Sequence, residues 1–380
     1  MVPVVLLAVA TAIVFYFLIG YPILLAVSRR AAPPVRKDPA FRPGFSILVA
    51  VHNGEEFLAR KIESLLALEY PAELREILIV SDGSTDATDT IAGAFSNHGV
   101  RLLRVPRGGK AAALNAGLAQ ASGDILFFTD VRQMLDTHAL AHLAANFADP
   151  TVGAVTGELR LLNPARAGEQ ADLELYWRFE IWARSHHSRI DSIFSATGCI
   201  YALRRSLASP LPPDTIADDG TFSLRAFFRG YRVIFDPAAL AFDYPAAEGG
   251  EFRRRLRTLA GLWQLFVRLP QLFTRADRMR FHFLSYKFGR LVLPWAILLI
   301  WGSTMALSDS GWRNFLLVDE AALVALAVFD RLVPRRFFLK RITSPARTFI
   351  AMNLAALLAV LVFFVPAETL WRPTRMQARQ

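Results

Sequence analysis

From Val2 to Val27 the chain carries no charged residue, and no other feature constrains its fold as much. A helix needs about 20 predominantly apolar residues to cross a bilayer, and this run is long enough. The competing reading is a cleaved signal peptide, which has a basic n-region and an apolar core of about 7–15 residues. Here no Lys or Arg precedes the run, and the run exceeds such a core. Arg29, Arg30, Arg36 and Lys37 follow at once, so the positive-inside rule predicts that the next segment lies in the cytoplasm.

Composition agrees with a mixed architecture. Of the 380 residues, 53% are hydrophobic and 20% charged. Ordinary globular chains run at roughly 45–50% and 25%. That is too oily for a purely soluble enzyme and too charged for an all-membrane chain. A soluble domain of roughly 200–250 residues joined to several spans accounts for both. The lone cysteine, Cys199, excludes an intramolecular disulfide framework and a multi-cysteine zinc site, and fits a reducing compartment.

After a proline-rich linker over Ala31–Pro43, the texture changes to strand and helix signals in alternation. Strands are predicted at Phe45–Val51, Glu76–Ser81, Val100–Val105 and Asp124–Thr129, with helices at Glu55–Leu68, Asp86–Phe95 and Lys110–Ala119. This alternation predicts an α/β domain with a mainly parallel sheet. Such sheets bind ligands beyond the carboxyl ends of their strands, so the residues just after each strand matter most.

Past about Phe252 the soluble texture fades. Glu251–Arg290 mixes basic residues with Leu, Phe and Trp, as interfacial helices on anionic headgroups do. Apolar stretches follow at Leu291–Leu307, Asn314–Phe329 and Thr348–Val365, the second interrupted by Asp319 and Glu320. The expected organisation is a transmembrane helix over 1–28, a linker over 29–44, the α/β domain over 45–250, basic interfacial helices over 251–290, two or three spans over 291–366 and a tail over 367–380. The basic stretch Arg331–Arg347 is expected in the cytoplasm. Three C-terminal spans would then put Arg372, Arg375 and Arg379 outside, so either one span is re-entrant or the charge rule fails there.

The net charge of +10 has a local origin. Glu251–Arg290 carries +8 and Arg331–Arg347 carries +6, leaving the rest of the chain at −4. Positive charge beside membrane segments argues against a nucleic-acid partner and for a lipid bilayer.

Several residues could carry chemistry. Asp82 follows a strand on a Gly turn that opens a helix, well placed to accept hydrogen bonds from a base or ribose; a plain loop capped by Ser84 or Asp86 is the bland alternative. Asp130 ends the next apolar strand but one, where a carboxylate suits a hard cation shared with phosphate oxygens. Gly108-Gly109-Lys110 is not a Walker A loop, because Arg104 and Ala111 stand where that motif needs Gly and Ser or Thr. Lys110 near a helix start could still meet an anion. No GxGxxG follows the first strand, which disfavours a dinucleotide fold. Asp218-Asp219 opens a helical pattern at Gly220–Phe228; such acids are commonly dipole partners, yet a general base must be a carboxylate or His within reach of its proton. His186-His187 is adjacent rather than spaced for one helix face, and reads as ordinary polar sequence. Arg253-Arg254-Arg255-Leu256-Arg257 is either membrane-surface charge or a source of guanidinium for a departing diphosphate.

Taken in order, these segments resemble the membrane-embedded family 2 glycosyltransferases of the GT-A fold, the group with cellulose, hyaluronan and poly-N-acetylglucosamine synthases. The resemblance covers roughly Phe45 to Gln264. Ala50-Val51-His52-Asn53 matches the first nucleotide-contacting loop, and Ser81-Asp82-Gly83-Ser84 the DGS segment, whose Asp holds the nucleotide. Gly109-Lys110-Ala111-Ala112-Ala113-Leu114-Asn115 is similar to the Lys segment beside the donor. Thr129-Asp130-Val131-Arg132 matches the DxD metal position and Ala217-Asp218-Asp219 the TED position of the catalytic base.

The resemblance implies an inverting enzyme of the bacterial inner membrane, multi-pass, with its catalytic domain cytoplasmic. Its donor would be a nucleotide-diphosphate sugar and its acceptor a growing polysaccharide or other membrane-associated glycan. Single-sugar transfer to a lipid-linked acceptor is the alternative; a degenerate nucleotide-binding scaffold is the competing class. Ala50, His52, Asn53, Asp82, Lys110 and Asp130 would bind nucleotide. Asp130 would hold Mg²⁺ or Mn²⁺, Asp219 with Asp218 would act as base, and Arg257 with Arg254 would stabilise the leaving diphosphate. Three departures stand out. Arg132 replaces the second acid of DxD and offers positive charge near the phosphates. The acidic pair is Asp-Asp. The QxxRW motif of processive synthases appears as Arg254-Arg255-Leu256-Arg257-Thr258, without the Gln or the Trp beside the acceptor sugar.

Overall fold

The computed structural model describes residues 1–30, 32–162, 169–244, 250–334 and 337–365. Two compact units emerge. One comprises Arg29–Leu162 and Arg184–Tyr244; the other comprises Met1–Ser28, Asn163–Ala183 and Pro245–Gln380.

The chain begins in the second of these, with α1 (Val2–Phe15) and α2 (Tyr21–Val27) joined through a π-helical turn. The α/β unit then follows as β1 (Phe45–Val51), α3 (Glu55–Leu66), β2 (Arg75–Asp82), α4 (Thr88–Ala94), β3 (Val100–Val105), α5 (Gly109–Gln120), β4 (Ile125–Phe128), β5 (Met134–Leu135), α6 (Ala139–Asn146) and β6 (Val152–Leu161). Helix α7 (Glu169–Ile190) is divided between the units, and β7 (Tyr201–Arg204), α8 (Asp218–Phe228) and β8 (Arg232–Asp243) complete the α/β unit.

The eight strands among the described residues form one sheet, ordered β3-β2-β1-β4-β7-β6-β8-β5. The first four are mutually parallel, β7 runs antiparallel to β4 and β6, and β6 and β8 are parallel. Six of the seven residues of β1 are buried, because a central parallel strand is covered on both faces. This produces the continuous apolar run rather than an alternation. Predicted and observed bounds coincide for β1 and β3 and differ by one residue at each end of β2 and β4. Helix α3 buries Leu58, Lys61, Ile62 and Leu65, the i, i+3, i+4, i+7 stripe of a helix facing a core, with one charge in it.

Parallel register brings the carboxyl ends of β2, β1 and β4 side by side. Val51 pairs with Ser81, and Leu48 pairs with Phe128. The loops leaving these strands share one edge of the sheet.

The other unit continues with α9 (Gly250–Arg268), α10 (Arg280–Phe283), α11 (Gly289–Met305), α12 (Gly311–Phe329) and α13 (Lys340–Leu358). Among the described residues three helices are long and apolar enough to cross a membrane: Val2–Val27, Arg280–Met305 and Lys340–Phe363. The middle one begins at Arg280 rather than Leu291, because α10 runs through a π turn into α11 without a break. Predicted span Asn314–Phe329 is helical, as part of α12, but is not among the three; Asp319 and Glu320 interrupt it and Arg313 directly precedes it. The tail with Arg372, Arg375 and Arg379 lies outside the described residues.

Polar groups staple these helices together. Glu320 of α12 accepts a hydrogen bond from Thr304 of α11 at 2.7 Å. Glu180 of α7 is paired with Arg290 of α11 at 2.6 Å and accepts from Tyr286 at 2.8 Å. Asp330, between α12 and α13, is 0% exposed and meets Lys340 Nζ at 2.9 Å, Arg347 Nε at 2.8 Å and Thr343 Oγ1 at 2.8 Å. Removing one partner of a buried ion pair strands the others in a low dielectric. Asp330→Asn is therefore expected to destabilise the α12–α13 hairpin by about 3–5 kcal/mol. A thermal melt of the detergent-purified variant checks this, and an unchanged midpoint counts against it.

Candidate active site

The loops at the β2-β1-β4 edge are tied to one another by their own polar groups. Beyond β1, Asn53 has a φ of 49°, a left-handed conformation that Asn tolerates. Its N–H reaches Ser84 Oγ at 3.1 Å, and its Oδ1 accepts from the Thr85 N–H at 2.8 Å. His52 Nδ1 lies 2.8 Å from the carbonyl oxygen of Asp82. Ala50 is inside β1, paired with Val80 and partly exposed.

Asp82 turns inward. It is 2% exposed, its carboxylate accepts from the N–H groups of Gly108 at 2.7 Å and Gly109 at 3.0 Å, and it is ion-paired with Arg107. Gly83, with a φ of 59°, lets the strand end and the 107–109 loop meet: a Cβ there would stand 2.8 Å from the Arg107 nitrogen. Asp82 thus builds the loop that starts α5. Arg107, exposed at the same edge, is a cation that sequence reasoning passed over, although Arg-Gly-Gly-Lys was legible there.

That loop delivers Lys110 in the first turn of α5. Its Nζ lies 3.0 Å from Asp130 Oδ1, beyond β4, and 3.2 Å from Asp218 Oδ1, at the start of α8. Burial alone would lower the Lys110 pKa, but Asp130 and Asp218 raise it above the ordinary lysine value. Three segments far apart in sequence therefore converge on one ammonium.

The floor of the site is aromatic. Tyr201 of β7 donates to Asp218 Oδ2 at 3.1 Å, and its ring stacks on Phe128, which stacks on Phe222. Asn115 of α5 and the backbone of Leu211 exchange two hydrogen bonds of 2.8 Å, anchoring the loop that leads to Asp218. Neither Tyr201 nor this anchoring role left a local signal in the sequence.

Asp219 differs from its neighbour. Its carboxylate accepts from Gly220 N–H at 2.7 Å and faces Gly198, where a Cβ would come within 3.4 Å. Burial and the Asp218 charge push its pKa up to about 6, with Lys110, the Gly220 N–H and Arg184 opposing. A carboxylate in that range can accept a proton near neutral pH.

Known proteins resemble this chain in sequence and in fold. Residues 46–210 match the model of glycosyl transferase family 2. Residues 46–210 form a family 2 glycosyltransferase domain. The probable glycosyltransferase YdaM of Bacillus subtilis is 27% identical over 267 residues, covering 67% of this chain and 63% of that protein. The chain thus spans just under two thirds of that relative's length. Poly-beta-1,6-N-acetyl-D-glucosamine synthase of Staphylococcus aureus is 26% identical over 300 residues, 73% of this chain and 72% of the synthase. Among solved structures, the mannosyltransferase PcManGT of Pyrobaculum calidifontis, in complex with GDP-Man and Mn²⁺, aligns with a TM-score of 0.72 at 23% identity, covering 94% of this chain and 98% of that one. That likeness shows the GT-A fold.

Other residues singled out in the sequence stand apart from this convergence or in the other unit. Arg132 is turned onto Asp243 of β8, with Nη2 at 2.7 Å and Nε at 3.2 Å, and Gln133 joins the same carboxylate at 2.8 Å. Its charge is spent on β8, against the expectation of charge near the phosphates. Arg254 and Arg257 lie on α9 in the other unit, where the Arg254 guanidinium rests 5.2 Å from the Trp177 ring centre. His187 is buried against Phe194.

Among the described residues no group of three His, Cys, Asp or Glu side chains could hold a metal. The donor set at Asp130 nonetheless fits a hard cation of the Mg²⁺ type, which commonly takes one or two carboxylates and completes its shell with substrate phosphates and water. Asp130 supplies such an oxygen on a side chain that is 40% exposed.

A raised carboxylate pKa is a stability statement. The folded chain holds a proton on Asp219 more tightly than the unfolded chain, so this group's contribution to stability is lost as pH rises from the ordinary value of 3.8 to about 6. Asp219→Asn is expected to melt at a higher temperature than the parent at about pH 7–8, with the difference closing towards about pH 4. Equal midpoints at both pH values refute the electrostatic reading.

Proposed function

We propose that the domain transfers a sugar from a nucleotide-diphosphate donor to a growing polysaccharide or other membrane-associated glycan, with inversion at the anomeric carbon. The observation that carries this reading is the convergence on Lys110: an ammonium shared by Asp130 and Asp218, beside a carboxylate raised towards neutral. The donor diphosphate would meet the site at Lys110 and Asp130, with Arg107, His52 and Asn53 at the nucleoside end. Asp82 would act through the 107–109 loop that it holds. Asp130 would hold a Mg²⁺ or Mn²⁺ ion, which when bound neutralises diphosphate charge.

Asp219 accepts the proton of the acceptor hydroxyl as that oxygen attacks the anomeric carbon. The bond from this carbon to the diphosphate oxygen breaks on the opposite face, and the nucleoside diphosphate departs with the electron pair. Asp218, fixed by Tyr201 and Lys110, keeps negative charge beside Asp219 and so keeps it basic. The part of Arg257 and Arg254 in stabilising the leaving diphosphate is supported by the sequence resemblance.

A membrane setting is supported by the three long apolar helices and by the exposed Val4, Val5, Val9, Ile23 and Leu24 of the first. The mannosyltransferase with bound GDP-Man and the N-acetylglucosamine polymer synthase suggest hexosyl or N-acetylhexosaminyl donors. Single-sugar transfer to a lipid-linked acceptor is favoured by one observation, the loss of Gln and Trp around Arg254–Thr258. Retention of Asp130, Asp219 and Lys110 in mutual contact or proximity argues against a degenerate scaffold.

Detergent-purified protein incubated with a panel of UDP- and GDP-sugars, with and without Mg²⁺ or Mn²⁺, tests the proposal. Released nucleotide identifies donor and metal requirement, and product size separates a polymer from a single addition. Asp219→Asn is expected to lose on the order of 10²–10⁴ in transfer rate while still binding nucleoside diphosphate. Near-parental turnover in that variant would remove Asp219 from its role.

A further inference from the structure

Beneath the Asp130 loop lies a charge that the mechanism above does not use. Lys61 belongs to the inward stripe of α3, among Leu58, Ile62 and Leu65, and is 0% exposed. An aliphatic side chain would fill that stripe without the desolvation penalty of an ammonium, which is large unless its protons find acceptors. Lys61 Nζ donates to Thr129 Oγ1 at 2.7 Å and to the backbone carbonyl of Gln133 at 2.6 Å.

Those two acceptors bracket the segment that matters. Thr129 directly precedes Asp130, and Gln133 directly follows Arg132. One buried cation therefore clamps both ends of the Asp130-Val131-Arg132 turn, and the Arg132 and Gln133 side chains anchor the turn on Asp243 from another direction. Asp130 itself is left to meet Lys110 at the sheet edge.

We propose that Lys61 is a positioning residue of the transfer reaction, setting the place of the Asp130 carboxylate by clamping the turn that carries it. This rests on the reading of Asp130 as the donor-side acid. Burial works against this charge and pushes the Lys61 pKa down to about 7, with Cys199 and Asp130 opposing. A lysine kept at such cost inside a helix stripe holds something that packing alone does not.

The test uses the full chain in detergent, with UDP and GDP as probes in the presence of Mg²⁺, binding measured by calorimetry and folding by thermal melt. Lys61→Met is expected to melt cooperatively and to bind the preferred nucleoside diphosphate at least about ten-fold more weakly, a loss of about 1.4 kcal/mol. Thr129→Val, which removes one of the two acceptors, is expected to weaken binding less. The double variant should lose less than the two single losses combined, since both substitutions break one shared contact. Asp130→Asn serves as the control for the underlying reading. Weakened binding in Asp130→Asn with parental binding in Lys61→Met overturns the role of Lys61 and leaves Asp130 standing. Parental binding in both overturns the reading of Asp130 and the proposal with it. Should Lys61→Met fail to fold, parental binding in Thr129→Val overturns the proposal instead.

Discussion

Carboxylates crowded at one sheet edge repel one another, and the Lys110 ammonium between Asp130 and Asp218 is what allows them to be there together. The loop that starts α5 serves to place that ammonium. Asp82 receives the amides of Gly108 and Gly109 and so fixes where α5 begins. Lys110 then projects from the first helical turn towards Asp130, at the end of β4, and Asp218, at the start of α8. A donor diphosphate would meet that ammonium, and its binding would exchange protein carboxylate for phosphate around the same cation.

Two features of the domain oppose stability. Asp219 is held with its proton affinity raised, which costs free energy at neutral pH. Lys61 is an ammonium buried in an otherwise apolar stripe. Sites that bind and transform charged substrates commonly retain such groups, because the geometry they impose is needed at the reacting atoms. The aromatic stack of Tyr201, Phe128 and Phe222 gives these polar groups a rigid floor, since close-packed rings leave the Asp218 carboxylate little room to drift.

The helical unit follows a related logic. Its buried charges are matched in sets, Asp330 with Lys340 and Arg347, and Glu180 with Arg290. The first set closes the hairpin of α12 and α13, and the second joins α7 to α11, which are distant in sequence. Such pairs specify which helices meet, a task that apolar surfaces perform poorly because one apolar face resembles another.

The residues by themselves determined the first half of the α/β sheet. Strands β1, β2 and β4 are buried on both faces, so each is a short apolar run closed by polar residues or Gly, and the helices between them show their own period. The order of the short motifs at their carboxyl ends was legible for the same reason, as was the long apolar opening helix. What only the tertiary structure decided depends on pairing across long separations. Strand β7 inserts antiparallel between β4 and β6, which brings Tyr201 beneath Asp218. Arg132 is drawn onto Asp243, some hundred residues away in the chain, rather than towards the phosphates. Asp82 spends its carboxylate on a loop rather than presenting it at the edge, and Lys61 reaches a turn that follows it by three intervening strands. Periodicity and turn chemistry act over a few residues and are written locally. Ion pairs, aromatic stacks and buried clamps depend on where distant segments meet, and that is settled only when the core closes.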